Sequence, residues 1–359
     1  MRSVMLVLLA RMWMQATPAP PGVVIDHVTA AGRQYVGSPS IVILPKGEYV
    51  ATHDLFGKGS TQTTSAVTRV FRSKNKGKSW EKTAEFSEMT WGNLFLHKGA
   101  LYLMGCSYEY GRPVIRRSGD GGKTWSKQAY LAEGKGCHTA PVPMAVKDGR
   151  IWRAFEWHPE GKWGFFESFV VSAPVDADLM DAKSWSPVGR LAYPANAVAG
   201  QHWLEGNVVV APDGGLVNIL RVANVEKAAV VRVRGDKLEF DRLIDFPGGA
   251  KKFSIRFDPK SKLYWTLSNP APAGAKDPAS MRNTLVLMSS ADLMTWQIRR
   301  TVLTHPDAEK HAFQYVDWQF EKNDLVVASR TAFDDDEGGA PRGHDANFLT
   351  FHRVKNFRK

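Results

Sequence analysis

The chain has 359 residues, of which 43% are hydrophobic and 23% charged, and a formal net charge of +11. A chain of this length can bury a large core, and no linker or low-complexity tract divides it, so one folded domain is predicted. The basic residues are scattered and form no stripe interleaved with aromatic residues, which disfavours nucleic acid and favours an acidic polysaccharide as the anionic partner. The 31 Gly and 20 Pro, with few segments of helical period, predict many short strands.

Residues 1–22 are predicted to be a signal peptide or leader, because a charged start and an apolar stretch precede a proline-rich segment. Two residues depart from the usual pattern. Arg11 interrupts the apolar stretch, and Met14 is unfavourable at the third position before a cut that follows Ala16. An exported protein, secreted or periplasmic, is expected. No other stretch is long enough to span a bilayer.

A unit of four strands recurs along residues 23–359. In each unit an apolar run ends in a tight turn and leads into a second apolar run, and the third and fourth strands flank a further turn. Six such units predict an all-β fold, a six-bladed β-propeller of four-stranded antiparallel blades, with residues 23–28 or 348–354 closing the ring. The six first turns lie in IVILPKGE, LFLHKGA, MAVKDGR, VVVAPDGG, IRFDPKSK and WQFEKND.

The turn between the third and fourth strands carries an SxDxGxTW-type sequence. It reads SGDGGKTW at 118–125, SKNKGKSW at 73–80 and SADLMTW at 290–296, and a stretched relative ends at Ser184 and Trp185. The Asp or Asn is expected to accept backbone N–H bonds, while Gly supplies a positive φ and Trp packs the turn onto its sheet. The acidic residues of these aspartate turns are therefore predicted to be structural.

Strand direction reverses at every turn, so all of these turns are expected on one face of the ring. The opposite face receives the starts of the first strands and long irregular loops, and such a loop face is a usual place for a binding or active site. Cys106 and Cys137 are expected near each other on neighbouring blades, either as a disulfide or as two buried thiols.

Three segments, taken in chain order, resemble motifs of the sialidase (neuraminidase) superfamily, whose propellers carry the same aspartate turns. The first segment begins with a Glu, continues with two apolar runs on either side of Asp-Gly and ends with an Arg. In the second segment an Arg precedes a strand and an aspartate turn. The third segment contains a Tyr. The resemblance covers roughly residues 30 to 355. The segments are EGNVVVAPDGGLVNILR at 205–221, RNTLVLMSSADLMTW at 282–296 and FQYVDWQFEKND at 313–324.

The resemblance implies that Tyr315 is the nucleophile and Glu205 its base, and that Arg221 and Arg282 bind the carboxylate of the substrate. A neutral phenol suits this task, because a carboxylate nucleophile would be repelled by an anionic sugar. Guanidinium groups match a carboxylate with two parallel hydrogen bonds, which fixes its orientation.

Two defining parts of the family are not matched. Gly37 stands where the first arginine of the carboxylate-binding triad is expected, and the acid/base Asp of the family would fall near Ser60 or Thr61. Neither a glycine nor a hydroxyl can take over these tasks efficiently. A replacement proton donor is expected on the loop face, where His53 and Asp54 end the second strand of the first blade.

Further candidates surround the expected mouth of the ring. His344 and Asp345 lie in or just after the long loop of the last blade, which neighbours the first blade once the ring closes, and Glu109 is another candidate acid. Aromatic rings here are expected either to stack on sugars or to pack in the core. The predicted substrate-binding set is Arg221, Arg282, Tyr108, His138, Trp203, Asp317, Arg330, His344 and Asp345.

No HxH, HxxxH or calcium-loop pattern occurs in the sequence, so neither a metal nor a cofactor is expected. The acidic run at 334–337 is interpreted as a solvated loop. The leading hypothesis is a sialidase-like glycoside hydrolase that acts on an anionic or terminal sugar of a glycan but departs from a conventional sialidase. Two alternatives stay open: a uronate polysaccharide lyase, and a carbohydrate-binding propeller without catalysis. The sequence does not predict the oligomeric state.

Overall fold

The apolar runs of the sequence form short antiparallel strands that pair into six separate sheets. The first strands of neighbouring sheets contact one another around a common axis, for example β3 (Ser40–Ile43) with β7 (Thr90–His97). In the described part of the chain, the helical segments are two single 3-10 turns, Ala30–Gly32 and Ala182–Ser184. The fold is an all-β, six-bladed β-propeller, which confirms the prediction.

The computed structural model begins its description within the predicted leader. Most of that leader lies outside the described residues, and so do Ser60 and Thr61, where the family's acid/base Asp would fall. The first strand begins at Val23, directly after the predicted leader. The residues that the structure describes are 19–58, 66–194, 196 and 202–359.

Blades 1 to 3 follow one another along the chain, and each sheet runs from its first strand near the axis to its fourth strand at the rim. In blades 1 and 3 the first strand is interrupted, so two short strands pair with the second one. Blade 1 contains β2 (Tyr35–Val36), β3, β4 (Tyr49–Phe56), β5 (Thr68–Ser73) and β6 (Glu81–Phe86); blade 2 contains β7, β8 (Ala100–Cys106), β9 (Pro113–Ser118) and β10 (Ala129–Tyr130); blade 3 contains β11 (Cys137–His138), β12 (Ala145–Lys147), β13 (Arg150–Trp157), β14 (Glu167–Pro174) and β15 (Ser186–Leu191).

Blades 4 to 6 complete the ring, and the last of them is built from both ends of the propeller sequence. In blade 6 the N-terminal strand β1 (Val23–His27) is the outermost strand and pairs with the last strand of the chain. Blade 4 contains β16 (Trp203–Val210), β17 (Leu216–Val222), β18 (Lys227–Arg234) and β19 (Lys237–Asp245); blade 5 contains β20 (Arg256–Asp258), β21 (Leu263–Ser268), β22 (Thr284–Ser290) and β23 (Gln297–Thr304); blade 6 contains β24 (Ala312–Glu321), β25 (Asp324–Ala332), β26 (Phe348–Val354) and β1.

The closure of the ring uses both segments that the sequence offered as alternatives. β26 is the third strand of blade 6, and β1 is the fourth, with Val23 opposite Phe351 and His27 opposite Phe348. Hydrogen bonds within blade 6 therefore attach the segment that leads into blade 1 to the last strand of the chain.

Apolar side chains fill the spaces between neighbouring blades. Between blades 4 and 5, for instance, Phe246 and Phe253 are fully buried and stack with ring centroids 4.2 Å apart. Burial of one such side chain contributes roughly 1.5–3 kcal/mol. A disulfide joins Cys106 at the end of β8 to Cys137 at the start of β11, so of the two alternatives for these cysteines the structure has the bonded one.

The aspartate turns join the third and fourth strands of their blades. Asp120 Oδ1 accepts the backbone N–H groups of Lys123 and Thr124 at 3.0 Å, and Oδ2 accepts the Thr124 hydroxyl at 2.7 Å. Asp292 and Asn75 accept equivalent backbone bonds in their own turns. The side chains close the turns locally, at the end of the ring opposite to the starts of the first strands.

Candidate active site

Three first strands carry the same irregularity at the mouth of the ring. Trp91 in β7, Glu205 in β16 and Tyr315 in β24 have φ values of 53°, 56° and 52°, and at each position the pairing register with the second strand shifts. A β-bulge of this kind re-aims a side chain, and a bulky residue with positive φ is strained backbone that persists where the surrounding structure holds it. All three side chains line one cavity at the mouth.

The mouth cavity has a volume of about 130 Å³ and receives residues from several blades. Glu109 and Gly37, which the sequence also singled out, border it together with Trp91. Three further lining residues were not predicted: Ser38, Phe56 and Trp163. From the predicted site set, the structure brings together Asp54, His138, Glu205, Tyr315, Arg330 and His344.

Tyr315, Glu205 and Arg221 form a buried cluster. Arg221 Nη1 donates to Glu205 Oε2 at 2.9 Å and to Tyr315 Oη at 3.3 Å, while its Nε is held by the carbonyl of Ala250 at 2.8 Å. Burial by itself would raise the pKa of Glu205, but the charges of Arg221 and His138 and its hydrogen bonds, one of them from Tyr315, outweigh it and lower that pKa. Glu205 is therefore an ionised carboxylate that can accept the phenolic proton.

Two more guanidinium groups face Tyr315. The guanidinium carbons of Arg282 and Arg330 lie 5.5 and 4.9 Å from the centroid of the Tyr315 ring. Arg282 is held by the side chain of Gln314 at 2.6 Å, and Arg330 donates to the carbonyl of His344. Together with Arg221, three cationic side chains from blades 4, 5 and 6 surround one phenol.

Arg282 and Arg330 form no ion pair with any residue that the structure describes. Both side chains are buried, and among the described residues neither has a carboxylate within salt-bridge distance; Nε of Arg330 has no hydrogen-bond partner there. Burial lowers the pKa of both groups, that of Arg330 to about 10. Unpaired buried cations are costly, which makes this pocket electrostatically suited to an anionic ligand.

Asp54 reaches the cavity because residue 37 is a glycine. Its Oδ1 accepts the backbone N–H of Ser38 at 3.0 Å, and its Oδ2 accepts the hydroxyl of Thr90 at 2.8 Å. A Cβ atom at position 37 would lie 2.5 Å from both the carbonyl oxygen and Oδ2 of Asp54. Burial raises the pKa of Asp54 despite the hydrogen bonds from Thr90 and Ser38. The loss of a side chain at position 37 thus makes room for a buried carboxylic acid.

His53 does not join the site, which corrects its assignment as a candidate proton donor. Successive residues of a strand point to opposite faces, so in β4 His53 points away from the side on which Asp54 lies. Its Nε2 is 2.8 Å from Asp26 Oδ2, its Nδ1 is 3.0 Å from the carbonyl oxygen of Asp54, and its ring stacks on Phe71. These contacts give His53 a structural role between strands.

Trp203 and Asp317 also lie away from the cavity. Trp203 is fully buried in the core between blades, with its ring 5.2 Å from that of Tyr193. Asp317 is buried near the axis, where its carboxylate binds Arg256 at 2.8 Å and the hydroxyl of Ser40 at 2.8 Å. Both were predicted to bind substrate, and the structure gives both a structural environment instead.

Tyr108 and Asp345 lie beside the cavity rather than in its lining. The ring of Tyr108 faces the ammonium of Lys135 at 6.0 Å. Asp345 binds Arg342 and Nδ1 of His344, each at 2.8 Å. Burial lowers the pKa of His344 to about 3, with a further contribution from the nearby arginine at position 330. His344 is therefore neutral near pH 7 and is a poor proton donor.

A larger cavity of about 650 Å³ lies on the opposite, turn-bearing face. Its walls are mainly apolar, with Met144, Val209 and Phe320 among them. Arg256 also borders it, but this guanidinium is paired with Asp317. Because acid and base groups converge at the mouth and not here, the smaller cavity is the candidate active site.

Two observations concern cofactors and membranes. Among the described residues, no group of three or more His, Cys, Asp or Glu side chains is placed to hold a metal ion. In the same part of the chain, no helix is long and apolar enough to cross a bilayer.

The sequence matches no family model and no curated protein. Solved structures do resemble it. A Hadza microbial sialidase is 14% identical, with a TM-score of 0.66 over 93% of this chain and 68% of that one. The α-L-arabinanase of Penicillium chrysogenum, solved with arabinobiose, is 14% identical, with a TM-score of 0.60 over 94% of this chain and 98% of that one. A Trypanosoma rangeli sialidase is 15% identical, with a TM-score of 0.61 over 91% of this chain and 55% of that one.

The shared feature is the fold. These neighbours are two sialidases and an arabinanase, and the likeness of fold extends over nearly the whole propeller. Folds of this kind host more than one chemistry, so function has to be argued from the residues of the mouth cavity.

Proposed function

We propose that the protein is a glycoside hydrolase that removes a terminal anionic sugar from a glycan in the mouth cavity. The observation that supports this most is the convergence of a phenol, an ionised carboxylate, a buried carboxylic acid and several guanidinium groups at one site. The phenol is Tyr315, the base is Glu205, and the acid is Asp54. Sialidases and an arabinanase among the structural neighbours are consistent with a sugar substrate.

The cationic side of the site is proposed to bind the sugar's carboxylate. Arg221 is already paired with Glu205, whereas Arg282 and Arg330 are buried without a carboxylate partner in the described part of the chain. Two guanidinium groups in this state offer strong, directional hydrogen bonds to an incoming anion. Arg330, which comes from blade 6, would supply the cation that Gly37 in blade 1 cannot.

The proposed reaction proceeds through a covalent intermediate. Oη of Tyr315 attacks the anomeric carbon while its proton passes to Glu205, and the bond from that carbon to the leaving oxygen breaks as Asp54 protonates this oxygen. Water then attacks the anomeric carbon, giving its proton to Asp54, and Tyr315 leaves and recovers its proton from Glu205. Two displacements at one carbon give net retention of configuration.

Incubation with sialosides, uronate polymers and aryl glycosides tests the proposal. A hydrolase releases a reducing sugar from an anionic member of this panel, and the product carries no ultraviolet chromophore. Tyr315→Phe is expected to abolish turnover and to retain binding, while Tyr130→Phe, at an exposed tyrosine on the rim of blade 2, serves as the matched control. Undiminished turnover by Tyr315→Phe would remove the nucleophile from the mechanism.

Two other outcomes with the same panel of glycans would contradict hydrolysis. An unsaturated, ultraviolet-absorbing product would indicate a lyase, in which a base abstracts the proton next to a uronate carboxylate. Saturable binding of an anionic glycan without any product would indicate a carbohydrate-binding propeller. Both outcomes would leave the anion-binding role of the arginines in place. They would overturn the hydrolytic mechanism proposed for Tyr315, Glu205 and Asp54.

A further inference from the structure

One loop beside the mouth exposes large aromatic side chains. It joins β13 to β14 at residues 158–166, and in it Trp163 is 54% and Phe165 is 69% exposed. Phe165 also has a φ of 51°, a left-handed conformation that is uncommon for a bulky residue. Aromatic rings normally contribute stability by burial, so their exposure next to a candidate active site points to a binding role.

Trp163 connects the loop to the cavity. It lines the cavity and packs edge-to-face against His138 and Phe166, with ring centroids 5.7 and 5.6 Å away. His138 in turn stacks on Phe166 at 4.5 Å and lies 4.6 Å from Trp91, which anchors this aromatic wall. Among the described residues, no ring is stacked face to face on Trp163.

A second histidine also packs against Trp163. Its third ring neighbour is His202, at 5.9 Å and also edge-to-face. Burial, and to a smaller extent the charge of Arg221, lowers the pKa of His202 to about 4, so this imidazole is neutral near pH 7. A tryptophan whose edge is held by other rings, and whose face carries no stacked ring among the described residues, offers that face to the apolar face of a pyranose.

The order of the blades gives the cavity two unlike sides. The guanidinium groups of Arg221, Arg282 and Arg330 come from blades 4, 5 and 6, whereas the aromatic wall of Trp91 and Trp163 comes from blades 2 and 3. Because blades follow one another around the ring in chain order, blades 5 and 6 lie opposite blades 2 and 3, so Arg282 and Arg330 lie across the cavity from the aromatic wall. Arg221 is on the blade next to that of Trp163. An anionic sugar held on the cationic side would extend its leaving group toward the aromatic side.

From this arrangement we infer that Trp163 is the stacking platform for the pyranose ring that follows the anionic sugar in the substrate. The inference rests on the proposed function and narrows it: the preferred substrate is an oligosaccharide with a neutral sugar in the leaving-group position, rather than a glycoside with a small leaving group.

Isothermal titration calorimetry with matched ligand pairs tests the platform. One pair is methyl α-sialoside and 3′-sialyllactose, and the other is methyl β-glucuronide and a β-glucuronosyl disaccharide. The measurements use a Tyr315→Phe background to prevent turnover. The disaccharide-bearing ligand of the pair that binds is expected to bind about tenfold more tightly than its methyl partner, a ratio typical of one good stacking contact.

Trp163→Ala is expected to remove this ratio without changing the affinity for the methyl glycoside. Phe165→Ala is the matched control, because Phe165 lies on the same loop, is more exposed and does not line the cavity. A ratio that persists in Trp163→Ala, or an equal loss for both ligands, would overturn the platform, and so would a failure of both pairs to bind.

The same experiment separates this inference from the proposed function. If the wild-type protein hydrolyses 3′-sialyllactose but Trp163→Ala leaves the affinity ratio intact, the platform fails and the hydrolase stands. If the wild-type protein binds the ligands with a ratio that depends on Trp163 but releases no sugar, the platform stands and the hydrolase fails.

Discussion

Asp54→Asn is the substitution that examines the proposed chemistry most closely, because it changes protonation and little else. Asn has nearly the shape of Asp and retains an acceptor for the backbone N–H of Ser38, and its amide can still bond the hydroxyl of Thr90. It cannot, however, donate a proton to a leaving group. Either side chain fits in the space that the missing side chain of Gly37 leaves.

The expected kinetic effect depends on the leaving group. General acid catalysis contributes roughly 10²- to 10⁴-fold, so kcat/KM of Asp54→Asn should fall by about a thousandfold for an alkyl or sugar leaving group. For a nitrophenyl glycoside, which leaves without protonation, the loss should be less than about tenfold. Steady-state assays with both substrates measure this, and Asp213→Asn, on the turn-bearing face, is the control. An equal loss for both leaving groups would refute the role of Asp54.

The same variant should be more stable than the wild type at neutral pH. Burial raises the pKa of Asp54 in the folded protein, so the stability associated with its protonated form is present at low pH and is lost as pH rises through that folded pKa. Asn does not ionise, so the variant does not lose this stability. Its free energy of unfolding at neutral pH should exceed that of the wild type by about 1.4 kcal/mol for each unit by which the pKa is raised. Thermal unfolding from pH 4 to about pH 9 measures it; a variant that is less stable at every pH would contradict the reasoning.

Three other substitutions probe separate parts of the structure. Arg330→Gln should raise KM for an anionic substrate by about 10- to 100-fold, the value of one charged hydrogen bond, and leave a neutral analogue unaffected; equal effects on both would exclude anion binding. Asp120→Ala should lower the stability by about 1–2 kcal/mol, since it removes the bonds to Thr124, and should spare activity per folded molecule; lost activity at an unchanged Tm would argue against a purely structural turn. Replacing Cys106 and Cys137 by Ser should lower stability by about 2–4 kcal/mol in denaturant titrations, and an unchanged midpoint would mean that the disulfide does not form.

Much of the architecture could be predicted because local sequence patterns determine it. Apolar runs, tight turns and aspartate turns repeat with the blades, and their order assigns each turn to a face of the ring. The resemblance of three segments to sialidase motifs was enough to select Glu205, Arg221, Arg282 and Tyr315, and the structure brings the first three together around the phenol of the fourth. Whether these residues catalyse the proposed reaction stays a prediction.

The rest of the site depends on contacts that residue types alone do not reveal. His53 and Asp54 are adjacent, and only the phase of β4 decides which of them faces the cavity. In the sequence, Gly37 indicated only the loss of an arginine. In the structure, its missing side chain leaves room for the carboxyl group of Asp54. Similarly, Trp203 and Trp163 have the same chemistry, and packing between blades buries the first while the loop exposes the second.

The central claim is that Tyr315 attacks the anomeric carbon of an anionic sugar in the mouth cavity. Mass spectrometry of the protein, acid-quenched during reaction with an activated anionic fluorosugar, tests it directly, because the fluorine slows hydrolysis of the covalent intermediate. The expected result is a protein heavier by one glycosyl group, with the added mass on the peptide that contains Tyr315 and absent from Tyr315→Phe. An adduct on another residue, or turnover of the same sugar that persists in Tyr315→Phe, would contradict it.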